Sequence, residues 1–428
     1  MNNTIGVAVS GKGLLKTARR AAVISTRYGL TSRKMDNILA HTARILNEYD
    51  CAATFPLVTA ALVRNRGVAE KYESQNFEYA IHGYYHIDHK SVPFELQAEY
   101  FSKARQKFEE RGLTVSGFRC PYLRWNADTL KAIKQAGLLY DTSQVIAWDV
   151  AKEYESESYR RVLGFYGAVS ANDYLALPRY DDGLVRIPYC VPDDEALIDR
   201  LEFASADALN NPWLAILEAT YQRGELFTLG LHPERVYLCE TALRETLKAA
   251  RQLRPQVWFA SLDVISSWWL DRSNAQVSLR AEPNNVYHME VTGPEGITLL
   301  ARNAEVLSEN QPWDGDYVQF NGTQATIRSA SRPVIGVSSR SHPYLLAFLR
   351  QQGYIVETAE EGQQYSIFID RETFAYEEEK ALIENIEMDP APLVRLGRWP
   401  NGARSALCVT GDIDALTIWD YYFRFLGK

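Results

Sequence analysis

Two histidines four residues apart, His82 and His86, follow the short apolar run Tyr79-Ala80-Ile81. On one helical turn that spacing directs both imidazoles to the same side, where they can share a divalent cation. HxxxH alone is a weak signal, and the competing reading is a pair of hydrogen-bonded loop histidines. Asp88 and His89 follow closely, as supporting groups or as solvated ones. Three further runs stand where strands are expected to end. Arg119-Cys120-Pro121-Tyr122 offers a turn-setting proline, a guanidinium that can pair with a carboxylate, and a backbone N–H that can face a developing oxyanion. Tyr140-Asp141-Thr142-Ser143 is followed by Trp148, and Leu229-Gly230-Leu231-His232-Pro233 places another histidine at a strand end. Each run by itself is more often structural than chemical. Their order and spacing as a set raise the odds of chemistry.

Strand–helix alternation is what would position such groups. Ala21–Ser25 reads as a strand. Met35 to Tyr49 has Met35, Ile38, Leu39, Ile45 and Leu46 at helical spacing. Further strands are expected at Cys51 to Val58, Glu78 to Ile81, Val115 to Arg119, Leu184 to Tyr189, Glu225 to Leu231 and Val257 to Ser261. Helices are expected at Pro93 to Arg111 and Asp128 to Ala136, the second ended by Gly137. This alternation predicts a parallel sheet or (β/α) barrel with its reactive groups at the C-terminal strand ends. Composition changes after Trp268-Trp269-Leu270-Asp271-Arg272. A small β domain is expected over 273–328 and an α/β unit over 329–395, including a solvated acidic helix between Glu372 and Glu387. The final stretch, 396–428, is expected to form strand, turn and helix.

In combination the four runs resemble the polysaccharide deacetylases of the NodB type, carbohydrate esterase family 4, over residues from about 15 to 272. The family's H-S/T-x-x-H motif is met by His82 and His86, with Gly83 in the usual Ser/Thr place. Its R-x-P-Y motif is met by Arg119 to Tyr122, and its D-x-x-S-x-x-W region loosely by Asp141, Ser143 and Trp148. Its L-x-L-H motif is met by Leu229, Leu231 and His232, and Ala53 to Leu57 (ATFPL) is similar to its ATFF strand. The resemblance implies an α/β fold, a distorted (β/α) barrel, and metal-dependent removal of an acyl group, commonly N-acetyl, from a sugar. It implies His82 and His86 as metal ligands and His232 as general acid. It further implies Asp141 as the group orienting His232, Arg119 as support for the catalytic base, and the Tyr122 N–H as an oxyanion donor.

The family's first motif, T-F-D-D, supplies the base and a third ligand, and here the sequence departs. The matching place reads Ser25-Thr26-Arg27-Tyr28-Gly29, without either aspartate. Two histidines are a poor catalytic site, since catalytic zinc usually has three protein ligands, and Arg27 would repel a cation if it faced the site. An echo of the first strand occurs near the other end, where Arg404 to Thr410 is similar to Arg19 to Ser25 and runs into Thr410-Gly411-Asp412-Ile413-Asp414. The expectation is that this segment docks at the barrel mouth, in the same chain or a second one. Asp412 would then reach the water as base and Asp414 the metal. The alternatives are that Asp412 opens a truncated second domain, or that the barrel is a catalytically inactive carbohydrate-binding or assembly module.

Bulk properties narrow the function classes. A 428-residue chain with 46% hydrophobic and 23% charged residues has enough apolar content for two or three cores. The net charge of −8 argues against non-specific nucleic-acid binding. No stretch approaches the roughly 18 apolar residues of a membrane span. No export signal is recognised at the start, and the five scattered cysteines read as reduced thiols, so a cytoplasmic setting is expected. Tyr84, Tyr85, Trp125 and Trp148 are candidates for a sugar cleft or for core. The overall expectation is a hydrolase acting on an N-acetylated sugar or glycoconjugate with zinc, or with cobalt or nickel in its place. A homodimer contact is one use open to the middle region.

Overall fold

Parallel strands buried on both faces are written as short apolar runs, and this chain forms its main sheet from several of them. The computed structural model describes residues 27–426, apart from 204 and 205. The expected strand Ala21–Ser25 lies outside the described residues. The helix Arg33–Glu48 buries Met35, Ile38, Leu39, Ala43, Ile45 and Leu46 along one face. It leads into the fully buried strand Ala53–Leu57. Parallel neighbours then follow outward at Phe77–Ile81, Gly117–Phe118, Tyr140–Asp141 and Leu184–Arg186. The last two are prolonged by Val145–Ala147 and Tyr189–Val191, which also pair in parallel.

The other edge of Ala53–Leu57 holds the decisive element. Ser405–Thr410 lies in parallel between Ala53–Leu57 and Leu226–Gly230, and its first half pairs with Val257–Phe259. All six of its residues are buried, as a central strand requires. This strand of the barrel is therefore supplied by chain that follows about 130 residues of other structure, within the same molecule. The ring closes through a side chain. Thr228 Oγ1 accepts a hydrogen bond from the Cys190 N–H (2.8 Å) and donates one to the Pro188 carbonyl (2.9 Å), linking Leu226–Gly230 to Tyr189–Val191. The fold is thus α/β, a distorted (β/α) barrel.

Between Ser273 and Arg404 the chain is β-rich. Two antiparallel four-stranded sheets form. One contains Gln276–Glu282 and Val286–Thr292; the other contains Leu299–Arg302 and receives Leu393–Leu396 from much later in the sequence. A parallel three-stranded sheet is centred on Arg332–Ser338 and covered by the helix Pro343–Gln351. The acidic helix is Glu379–Met388. It is not solvated all round, because Glu379, Lys380, Leu382, Ile383 and Ile386 are buried. Among the described residues all five cysteines are free and buried, and no helix is long and apolar enough to cross a membrane.

Candidate metal centre and active site

Every strand of the ring ends at one mouth, and a side chain capable of chemistry follows most of them. After Phe77–Ile81 comes His82. The chain from His82 to His86 is a bent loop, not the helical turn expected from the spacing. Gly83 makes the bend at φ +73°, a conformation L side chains rarely adopt, and a Cβ there would come within 2.7 Å of His89 Nε2. The two rings still meet, with centroids 5.1 Å apart. His82 Nδ1 lies 2.9 Å from the Arg119 carbonyl, which accepts its proton and leaves the Nε2 lone pair free to face outward.

Ser405–Thr410 delivers the two carboxylates. Asp412 Oδ2 is 3.4 Å from His82 Nε2, and Asp414 Oδ1 is 3.5 Å from His82 Nε2 and 3.2 Å from His86 Nε2. The His82 and His86 side chains are only 1% and 4% exposed, whereas Asp412 and Asp414 remain 14% and 19% exposed, so the cluster opens to solvent on its carboxylate side. Asp412 therefore shares the barrel's own sheet and mouth, in place of opening a separate domain. Arg27 does not face this cluster, and its guanidinium pairs with Asp199 at 3.6 Å.

Electrostatics suit a cation. Burial, reinforced by Arg424, pulls His86 down to about 4, so its imidazole is neutral and able to donate a lone pair. Burial raises Asp414, but Arg424 and His86 override it and hold the carboxyl well below its usual range. His82 Nε2 is buried without a hydrogen-bond partner. One nitrogen from each of His82 and His86 and one oxygen of Asp414 lie within 4.8 Å of one another. Two imidazoles, one carboxylate and an orphaned nitrogen among them are a donor set that fits a catalytic divalent ion.

Arg119 is fully buried and directs Nη1 to Asp412 Oδ1 at 2.9 Å and Nη2 to Thr410 Oγ1 at 2.9 Å. Its guanidinium lies 4.4 Å from the Tyr189 ring. Tyr122 follows in the left-handed region, φ 60°, as does Leu123 at φ 55°. Two successive non-glycine residues there cost about 1–2 kcal/mol each, the kind of backbone strain found at functional sites. The Tyr122 ring packs edge-on against His86, with centroids 4.6 Å apart.

Across the mouth, His232 corrects one expectation. Its Nδ1 bonds Asp194 Oδ1 at 2.7 Å and its backbone N–H bonds Asp194 Oδ2 at 3.1 Å. Asp141 does not touch it, and is taken up by Arg186 Nε (2.9 Å) and Ser143 Oγ (2.5 Å). Burial lowers His232, but Asp194 overrides this and holds its pKa well above the ordinary value, with Glu234 and Asp412 adding to the effect. Asp193-Asp194, which follow the strand Tyr189–Val191, were not singled out from the sequence. The signal was present as an acidic pair after a Pro-terminated strand in a ring whose other strands end in polar groups. Arg424 was missed as well. Of the aromatic candidates, Trp148 is buried in the core, while Tyr84, Tyr85 and Trp125 are half-buried. His89 is fully buried against Phe101 and Phe118, and Asp88 pairs with Arg124 at 2.9 Å.

Comparison with known proteins places part of this architecture. Residues 31–140, about a quarter of the chain, match the family model described as polysaccharide deacetylase. The matched segment holds His82, His86, Arg119 and Tyr122 but not Asp412, Asp414 or His232. Among solved structures, the chain is similar to a candidate polysaccharide deacetylase from Mycobacterium smegmatis (24% identity over 53% of this chain and 74% of that one, TM-score 0.40). It is also similar to Puue allantoinase (19%, 54% and 72%, 0.43). A candidate polysaccharide deacetylase from Pseudomonas aeruginosa PAO1 is a third (19%, 53% and 70%, 0.42). No curated protein matches the chain significantly.

Proposed function

We propose that the chain is a metal-dependent hydrolase that removes an acetyl or related acyl group from the nitrogen of an N-acylated sugar or glycoconjugate. The observation that carries this reading is Asp412. It is held by Arg119 at 2.9 Å, stands 3.4 Å from His82, and shares one mouth with a histidine backed by its own carboxylate. His82, His86 and Asp414 would hold the ion. When bound, a divalent ion supplies Lewis acidity for the acyl carbonyl and for a water.

The chain's own residues account for the proton transfers. Asp412 takes the proton of the attacking water. Its pairing with Arg119 aims one oxygen and leaves the other for the water. The tetrahedral centre that forms places negative charge on the former carbonyl oxygen, where the Tyr122 backbone N–H would donate. The C–N bond then breaks, and the leaving amine needs a proton. His232 supplies it from the ring that Asp194 keeps charged, so Asp194 takes the orienting role expected of Asp141. The half-buried Tyr84, Tyr85 and Trp125 would present ring faces to a sugar.

The test is metal analysis of the natively purified chain, followed by an assay for acetate release from N-acetylated oligosaccharides, with Asp412→Asn and His82→Ala as controls. Stoichiometric metal and acetate release lost in Asp412→Asn support the reading. Absence of both metal uptake and acetate release, with retained carbohydrate binding, would favour the inactive binding module instead.

A further inference from the structure

We infer that Arg424 is a positioning residue that leaves Asp414 a single oxygen with which to face a cation, an inference that rests on the metal reading above. The two oxygens of Asp414 have separate tasks. Oδ1 lies 3.2 Å from His86 Nε2 and 3.5 Å from His82 Nε2. Oδ2 accepts a hydrogen bond from Arg424 Nη1. A carboxylate tethered at one oxygen cannot swing to offer both, so its coordination is set before any ion arrives.

Arg424 is itself fixed. Its guanidinium lies 5.4 Å from the ring centres of both Tyr122 and Tyr421, and its side chain is 14% exposed. It belongs to the helix Ile418–Phe425, whose start is closed by reciprocal bonds between Thr417 and Asp420. That helix is pinned to the barrel by contacts that do not involve Arg424. Asn65 Nδ2 bonds Asp420 at 2.8 Å, Arg64 pairs with Asp420 at 3.5 Å, and the Arg64 guanidinium covers the Phe423 ring at 4.7 Å. A change at position 424 can therefore release the carboxylate while the helix stays docked. Since Arg424 contacts both Asp414 and the Tyr122 ring, the tether also links the candidate ligand to the strained oxyanion turn.

Metal affinity alone is a poor readout, because the guanidinium repels a cation while it orients the ligand. The visible spectrum of Co²⁺ reports coordination directly, since absorption falls as the coordination number rises above four. The experiment loads the full chain with one equivalent of Co²⁺, verified by metal analysis, in wild type, Arg424→Met and Arg424→Lys. The expected result is a loss and shift of the visible band in Arg424→Met, as Asp414 becomes free to offer both oxygens, with the wild-type band kept in Arg424→Lys. Should the Met variant fail to fold, Arg424→Gln takes its place. An unchanged band at equal cobalt content in the neutral variant overturns the inference and leaves the metal site standing. A wild-type chain that takes up no cobalt overturns the metal reading itself.

Discussion

Gly411 is where the two halves of the candidate site touch, and Gly411→Ala is the sharpest perturbation of the arrangement. The strand Ser405–Thr410 carries Asp412 and Asp414, and the strand Leu226–Gly230 carries His232. The two run side by side to Gly230↔Thr410 and are tied beyond it by the Leu231 N–H to the Thr410 carbonyl (2.9 Å). A Cβ on Gly411 would lie 1.8 Å from the Leu231 carbonyl oxygen, 2.2 Å from its carbon and 2.7 Å from the His232 nitrogen. Ordinary contact begins near 3.4 Å, so the backbones must separate by about 1.6 Å, and no flexible side-chain end is available to yield. Overpacking of this kind costs about 1–3 kcal/mol. A displacement of roughly 1 Å between reacting groups costs on the order of 10²-fold in rate. Gly411→Ala should therefore lower the unfolding free energy measured in urea by that amount and lower acetate release about a hundredfold. Gly164→Ala is the control, because its Cβ meets nothing within 4 Å. Gly411→Ala with wild-type denaturation and turnover would refute the argument that these strand ends are in contact.

The remaining predictions concern charge. Asp194→Asn should lower turnover about 10²-fold or more and move the basic limb of the rate profile to lower pH, because His232 loses the partner that raises its pKa; a pH–rate profile checks this. Asp141→Asn should leave that limb in place but destabilise the fold by about 3–5 kcal/mol, since it strands the buried Arg186 guanidinium. Glu78 is raised to about 8, first by burial and then by Asp263, so the folded chain binds its proton more tightly than the unfolded one. The stability this contributes is fully present below about 4.5 and lost as pH rises toward about 8, and Glu78→Gln should flatten that slope in urea titrations between those values. Free Zn²⁺ at about 100 times its Kd should raise unfolding free energy by about 2.7 kcal/mol, a gain removed by chelation and abolished in His82→Ala.

Read alone, the sequence determined the strand–helix grammar and half of the site. Local patterning placed Arg33–Glu48, Phe77–Ile81 and Leu226–Gly230 within a few residues, because a buried helix face and a buried parallel strand each leave a periodic or continuous apolar record. His82, His86, Arg119 and His232 stood out as candidates by the order and spacing of their runs, and their roles came only as what the family resemblance implies. Only tertiary structure decided the rest. That Ser405–Thr410 is the strand between Ala53–Leu57 and Leu226–Gly230 is a non-local pairing, and an apolar hexamer reads the same whether it joins a sheet next door or one more than 170 residues earlier. Which carboxylate supports His232 was equally hidden. Asp141 ends one ring strand and Asp194 follows another; Arg186 stands close enough to occupy the first, and the second is left to the imidazole.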